Sequence, residues 1–118
     1  MENIRLETQI VEVQGHKVLN LSGEIDVYSA PQFKQAVVSI LDGAEKHLIV
    51  DMHNVRYMDS SGFGILLSAV KRLRPNGGTV NLIGCASSID RVLHITKLDA
   101  IFALHQNMDD VMKAISAS

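Results

Sequence analysis

Only one cysteine, Cys85, occurs in the 118 residues, which excludes an intramolecular disulfide and suits a reducing compartment. Its setting, "VNLIGC", reads as that of a buried structural thiol rather than a reactive one. Two prolines and no low-complexity tract leave no Pro-rich linker and no visible repeat, so the length reads as one domain, 1–118. No apolar run approaches the ~20 residues needed to span a bilayer. The start, "MENIRLETQI", lacks a basic stretch followed by an apolar one, so no signal peptide is expected and the expected compartment is the cytoplasm. The net charge of -2, with both signs interspersed, gives no footprint for direct nucleic-acid or membrane partners.

Motifs of catalysis and metal binding are also missing. The histidines (His16, His47, His53, His94, His105) show neither H-x-x-x-H nor H-E-x-x-H spacing, so no metal site is expected. There is no G-x-S-x-G elbow and no G-x-x-x-x-G-K-[ST] loop; neither an enzyme nor a cofactor is expected. Asp51 ends an apolar run and invites comparison with a receiver phosphoacceptor, but the acidic pair a receiver needs on its first strand is absent. Asp109 and Asp110 read as first-turn helix charges.

What is present is a globular composition, 47% hydrophobic and 20% charged, and a chain long enough to bury roughly two thirds of its unfolded surface. Loose alternation over Ile4–Val13 and Lys17–Gly23, with Gln14-Gly15-His16 between them, predicts an antiparallel hairpin. A helix is expected from Ser29, with Ser29 and Gln32 as a capping box and Phe33, Ala36, Val37, Ile40 and Leu41 as its apolar face. "HLIVDM" (His47–Met52) predicts a buried strand. A second helix runs to about Arg74 on a stripe of Phe63, Leu66, Leu67, Val70 and Leu73, and stops at Pro75-Asn76-Gly77-Gly78. A strand over Thr79–Gly84, a short helix from Ser87 or Ser88 to about Ile95, a short strand at Ala100–Leu104 and a helix from Asn107 to about Ile115 complete the pattern. Alternating strands and helices after a hairpin predict an α/β fold: a mixed sheet of about four to five strands with about four helices mainly on one face.

One stretch carries more than a helix start needs. "MDSSGFGILL" (Met58–Leu67) sets a carboxylate and two hydroxyls before an apolar helix containing two glycines. A helix N-terminus has unpaired backbone N–H groups and a partial positive charge, so phosphate on a serine there would be held by those amides. It would add about -1.5 to -2 of charge to a corner already acidic at Asp59. Gly62 and Gly64 cost the helix roughly 1 kcal/mol each against Ala, and close approach by a partner or by the adjoining strand would justify them. Ser61, Ile65, Ser68 and Arg72 form a strip away from the core stripe, with Ile65 as an exposed apolar anchor.

"LSGEIDVYSAPQF" (Leu21–Phe33), "LIVDMHNVRYMDSSGFGILL" (Leu48–Leu67) and "GGTVNLIGC" (Gly77–Cys85), in that order, resemble the STAS domain, and specifically stand-alone bacterial anti-sigma factor antagonists. The resemblance covers essentially the whole chain and implies a STAS-like fold. It implies a partner-switching role: an unmodified antagonist binds an anti-sigma factor that is also a serine kinase, phosphorylation releases it, and a PP2C-type phosphatase resets it. The serine after the Asp is then the acceptor, Ser60, with Ser61 the competing candidate and possible helix cap. Glu24 and Asp26 match the family's corner beside that loop; by themselves they read as solvated loop acids. Adding the strip read from helical spacing, the expected partner-binding set is Glu24, Asp26, Asp59, Ser61, Gly62, Ile65, Ser68 and Arg72. Phe63 departs from the Leu common in the family. A constitutive scaffold or accessory subunit of a signalling or transport complex is the other reading of the same fold.

Overall fold

The computed structural model of the protein describes residues 4–116. Strands β1 (Leu6–Val13) and β2 (His16–Ile25) pair antiparallel, from Leu6 opposite Gly23 to Val13 opposite His16. Only Gln14 and Gly15 lie between them, at φ 50° and 83°, as a two-residue hairpin turn requires. His16, expected in the turn, is the first residue of β2.

Helix α1 (Ala30–Leu41) follows, but its start is built differently from the expected capping box. Ser29 has helical backbone angles and makes no side-chain cap; its hydroxyl donates to the Glu24 carbonyl at 2.8 Å. Gln32 donates to the Leu6 carbonyl at 3.0 Å, tying α1 to β1. Asp26 does the local work instead, accepting from the backbone N–H groups of Tyr28 (2.9 Å) and Ser29 (3.0 Å). An Asx turn thus competes successfully with the capping pattern.

Strand β3 (Leu48–Met58) continues well past the expected end at Met52. It runs parallel to β2, and the register explains why its second half was not legible. Asn20 faces Asp51 but Ser22 faces Asn54; Gly23 faces Val55 but Glu24 faces Tyr57. Twice, β3 spends one residue more than its neighbour. Each bulge breaks the two-residue alternation and bends the strand.

After helix α2 (Ser60–Leu73), strands β4 (Val80–Ile83) and β5 (Ala103–His105) extend the parallel part, giving the order β1-β2-β3-β4-β5. The last strand begins later than expected because Leu98–Ala100 forms a short 3₁₀ turn after left-handed Lys97, with Phe102 then buried. Helices α3 (Ser87–Ile95) and α4 (Met108–Ser116) lie as expected, and Asn107 caps α4 by accepting from the Asp110 N–H at 2.9 Å.

The sheet separates two cores of unequal size. Phe33 and Ile40 of α1, Leu66 of α2 and Leu93 of α3 pack with Leu19, Val50, Met52 and Leu82 on one face. Val111 and Ile115 of α4 pack with Val18, Ile49 and Ile83 on the other. Neighbouring residues of a strand point to opposite faces, so Val18 and Leu19, like Ile49 and Val50, serve different cores. Among the described residues, five strands and four α-helices, three of the helices on one face, match the expected architecture. Among the described residues no helix is long and apolar enough to cross a membrane.

Candidate functional site

The parallel strands deliver the Asp-Ser-Ser-Gly segment to one corner of the sheet. Ile25 lies opposite Met58, and the Asp59 N–H donates to the Ile25 carbonyl at 3.0 Å. That bond fixes the start of α2 to the end of β2, so Glu24 and Asp26, on either side of Ile25, flank the same corner.

Asp59 is the N-cap, with extended backbone. Its carboxylate oxygen Oδ1 accepts from the Ser61 N–H at 2.9 Å and from the Ser61 hydroxyl through a short hydrogen bond. The Gly62 and Phe63 N–H groups donate to the Asp59 carbonyl at 3.1 and 3.3 Å. Of the amides expected to cradle a phosphate, those of Ser61, Gly62 and Phe63 are therefore already taken by Asp59, and among the described residues only the Ser60 N–H of that turn is left without a partner. A carboxylate occupies the positive end of the helix, and an added phosphate would lie outside that ring of donors.

The two serines are consequently unlike. Ser61 is half-buried, and its hydroxyl is bound to Asp59. Ser60 is exposed, and among the described residues nothing hydrogen-bonds its hydroxyl. Of the two candidates, Ser60 alone offers an unencumbered nucleophilic oxygen.

The acids of the corner are partly neutralised. Asp26 pairs with Arg5 at 2.7 Å, and Glu24 lies 3.8 Å from Arg56. Burial pushes the Asp26 carboxyl up, but the N–H groups of Ser29 and Tyr28, the Arg5 guanidinium and the Ser29 hydroxyl outweigh it and hold the group below the usual carboxylate range.

The expected outer strip of α2 divides. Ser68 and Arg72 are exposed, whereas Ile65 is half-buried against the larger core, a correction to its reading as an exposed anchor. Helix α1 crosses close enough to shelter it. Together the helices enclose a groove of about 310 Å³ whose walls include Ser61, Gly64, Ile65, Ser68 and Arg72 from α2 and Lys34, Val37, Val38 and Leu41 from α1. Arg72 donates to Asp42 at 2.6 Å and to the Leu41 carbonyl at 3.1 Å across this groove.

The two glycines also divide. A Cβ on Gly62 would stand 2.6 Å from Met58 Cγ and 2.9 Å from Ile25 Cγ2, so the adjoining strands require its absence. A Cβ on Gly64 would meet nothing within 4 Å.

Sequence reasoning missed the apolar rim. Val27 and Tyr28, in the loop after β2, are 65% and 80% exposed, and Tyr57 beside the serine corner is 49% exposed. Arg5 lies over the Tyr28 ring at 5.4 Å. The signal was available: an apolar pair stranded between Asp26 and Pro31 has no core to enter. Cys85 stands apart from this corner, packed half-buried at the end of β4; burial, with Asp90 nearby, pushes its thiol up to about 11.

Comparison with known proteins agrees with the fold. A protein named anti-sigma-B factor antagonist from Staphylococcus epidermidis is 28% identical over 107 residues, covering 91% of this chain and 97% of the relative. The crystal structure of an anti-sigma factor antagonist from Mycobacterium paratuberculosis superposes with a TM-score of 0.85 at 28% identity, covering 94% of each chain. The Bacillus cell-fate determinant SpoIIAA in its phosphorylated form shares the fold, with a TM-score of 0.70 at 20% identity over 92% of this chain and 99% of that one. The model of the STAS domain matches residues 7–111, and with the hairpin, the parallel extension and the serine corner in place, the chain belongs to the STAS domain family.

Proposed function

We propose that this STAS domain is an anti-sigma factor antagonist of a partner-switching pathway. With Ser60 unmodified it binds an anti-sigma factor that is also a serine kinase, and phosphorylation of Ser60 ends that complex. In the transfer, Ser60 Oγ bonds to the γ-phosphorus of ATP, the bond to ADP breaks, and the hydroxyl proton leaves to a base on the kinase. Hydrolysis of the ester by a PP2C-type phosphatase returns the hydroxyl and inorganic phosphate.

The observation that carries this reading is the contrast between a free, exposed Ser60 hydroxyl and a Ser61 hydroxyl held by Asp59. Relatives named as anti-sigma factor antagonists, similar over nearly the whole chain, support it. The dianion would stand beside the Asp59 carboxylate, outside the amides, where a surface matched to a neutral hydroxyl meets like charge and a desolvation cost. The switch alters a contact surface and asks no refolding.

Incubation with ATP and an anti-sigma kinase of the histidine-kinase-like ATPase type, followed by intact mass, tests the assignment. One added phosphate is expected in the wild type and in Ser61→Ala, and none in Ser60→Ala. Label retained by Ser60→Ala and lost by Ser61→Ala would move the acceptor by one residue. A Ser60→Asp protein that binds the kinase as tightly as wild type would instead favour a constitutive scaffold.

A further inference from the structure

The groove between α1 and α2 opens directly at the serine corner: Ser61 lines it, and Gly64 stands one helical turn from Ser60 on the same side of α2. Its walls are apolar, from Val37, Val38, Leu41, Ile65 and Ala69. Its volume, about 310 Å³, lies at the bottom of the range of roughly 300–1,000 Å³ for ligand pockets, a size better suited to one protruding side chain than to a drug-sized molecule. Lys34 stands on its rim with no ion pair among the described residues, and Arg72 is held in place there by Asp42 and the Leu41 carbonyl.

Gly64 is the informative residue. Glycine within a helix weakens it relative to alanine, and here the fold gains nothing in return, since a methyl group would touch no atom within 4 Å. The bare backbone leaves the groove mouth clear for something outside the chain.

We infer that this groove seats a protruding apolar side chain of the anti-sigma factor, flanked on that partner by a carboxylate that faces Lys34, the groove cation that Asp42 does not neutralise. The inference rests on the proposed partner-switching function and specifies its docking chemistry. Apolar walls select the anchor, and the unpaired Lys34 ammonium selects its acidic neighbour. It also ties docking to release. A phosphate on Ser60, one turn from Gly64, would face the partner's carboxylate across the groove mouth, so the same negative flank that docks on Lys34 is repelled after modification.

The kinase that phosphorylates Ser60 in the preceding experiment is the probe, with affinity measured by calorimetry in the presence of ADP. Gly64→Ala is expected to melt higher than wild type yet bind about tenfold more weakly, the loss typical of a contact at the centre of an interface. Lys34→Glu is expected to keep the wild-type melting temperature, bind more weakly and flatten the dependence of affinity on salt. Wild-type affinity in both variants, or tighter binding by Lys34→Glu, would overturn the groove assignment while leaving phosphorylation of Ser60 intact. A dimer of this chain that Gly64→Ala disperses, with kinase affinity unchanged, would give the groove to a second copy and equally overturn it. No phosphorylation of Ser60 by any such kinase removes the underlying function and the groove assignment together.

Discussion

Gly62 and Gly64 are two residues apart in one helix turn, and alanine at each has opposite consequences. At Gly62 the new methyl would overlap Met58 and the branched side chain of Ile25, neither of which can swing clear from its buried position. Overpacking, less the gain in helix propensity, is expected to cost roughly 1–2 kcal/mol. At Gly64 the methyl enters open space and is expected to stabilise by roughly 1 kcal/mol. Urea midpoints of the two single variants check the pair, and a shift of the same sign in both would refute this account of the corner. The sequence indicated that both glycines needed a reason but could not divide the reasons, because that depends on which strand lies behind each. It showed the two serines without showing which hydroxyl Asp59 would hold. Ile65 was misplaced for a related cause: helical spacing places a residue on a face of α2, but only the position of α1 tells whether that face is open.

At the scale of the element, hydrophobic periodicity marks α1, α2 and the hairpin, while cap residues at Ser87 or Ser88 and at Asn107 mark α3 and α4; α1 and α2 carry regular apolar stripes and the hairpin turn is marked by Gly15. Periodicity failed where local geometry departs from its period. The two bulges of β3 shift Asn54–Met58 out of the alternation that a strand advertises, and a turn-like "HNVRY" then conceals ladder residues. The start of α1 differs because Ser29 and Gln32 have the spacing of a capping box, whereas Asp26, three residues before Ser29, binds the Tyr28 and Ser29 amides of the loop that leads into the helix. Asp26→Ala is therefore expected to lower the melting temperature more than Gln32→Ala, which loses one bond to β1. Equal losses in thermal scans by circular dichroism would restore the capping-box reading. The carboxyl of Asp26 is lowered from its ordinary 3.8, so its contribution is complete above that value and fades only as pH falls through the lower folded one.

Across the whole molecule, the parallel core depends on a polar chain at the start of β3 and β4. The Thr79 N–H donates to Nδ1 of buried His47 at 3.1 Å, so that nitrogen carries no proton in the folded state. Burial, then Lys46 and His16, lower the His47 pKa from 6.5 against a small opposing effect of Glu45. The unfolded chain thus takes up this proton at higher pH than the folded one. Stability is expected to be full above about 6.5 and to decline as pH falls toward the lower folded value. Urea midpoints across that interval measure the slope in wild type, and His47→Gln is expected to flatten it; an unchanged slope in the variant would assign the acid sensitivity elsewhere. Unlike the serine corner, this linkage lay beyond sequence reading, because the histidine's partner stands thirty-two positions away in the chain.

The isolation of the Ser60 hydroxyl has a temporal corollary. If, as proposed, Ser60 is the acceptor, a group that leans on nothing in its own domain would leave no conformational memory on esterification, and the protein would keep no clock of its own. How long a signal lasts would then be dictated from outside, by the ratio of the opposing transferase and hydrolase turnover rates, and the same chain could serve a fast or a slow response without a change in its folding landscape.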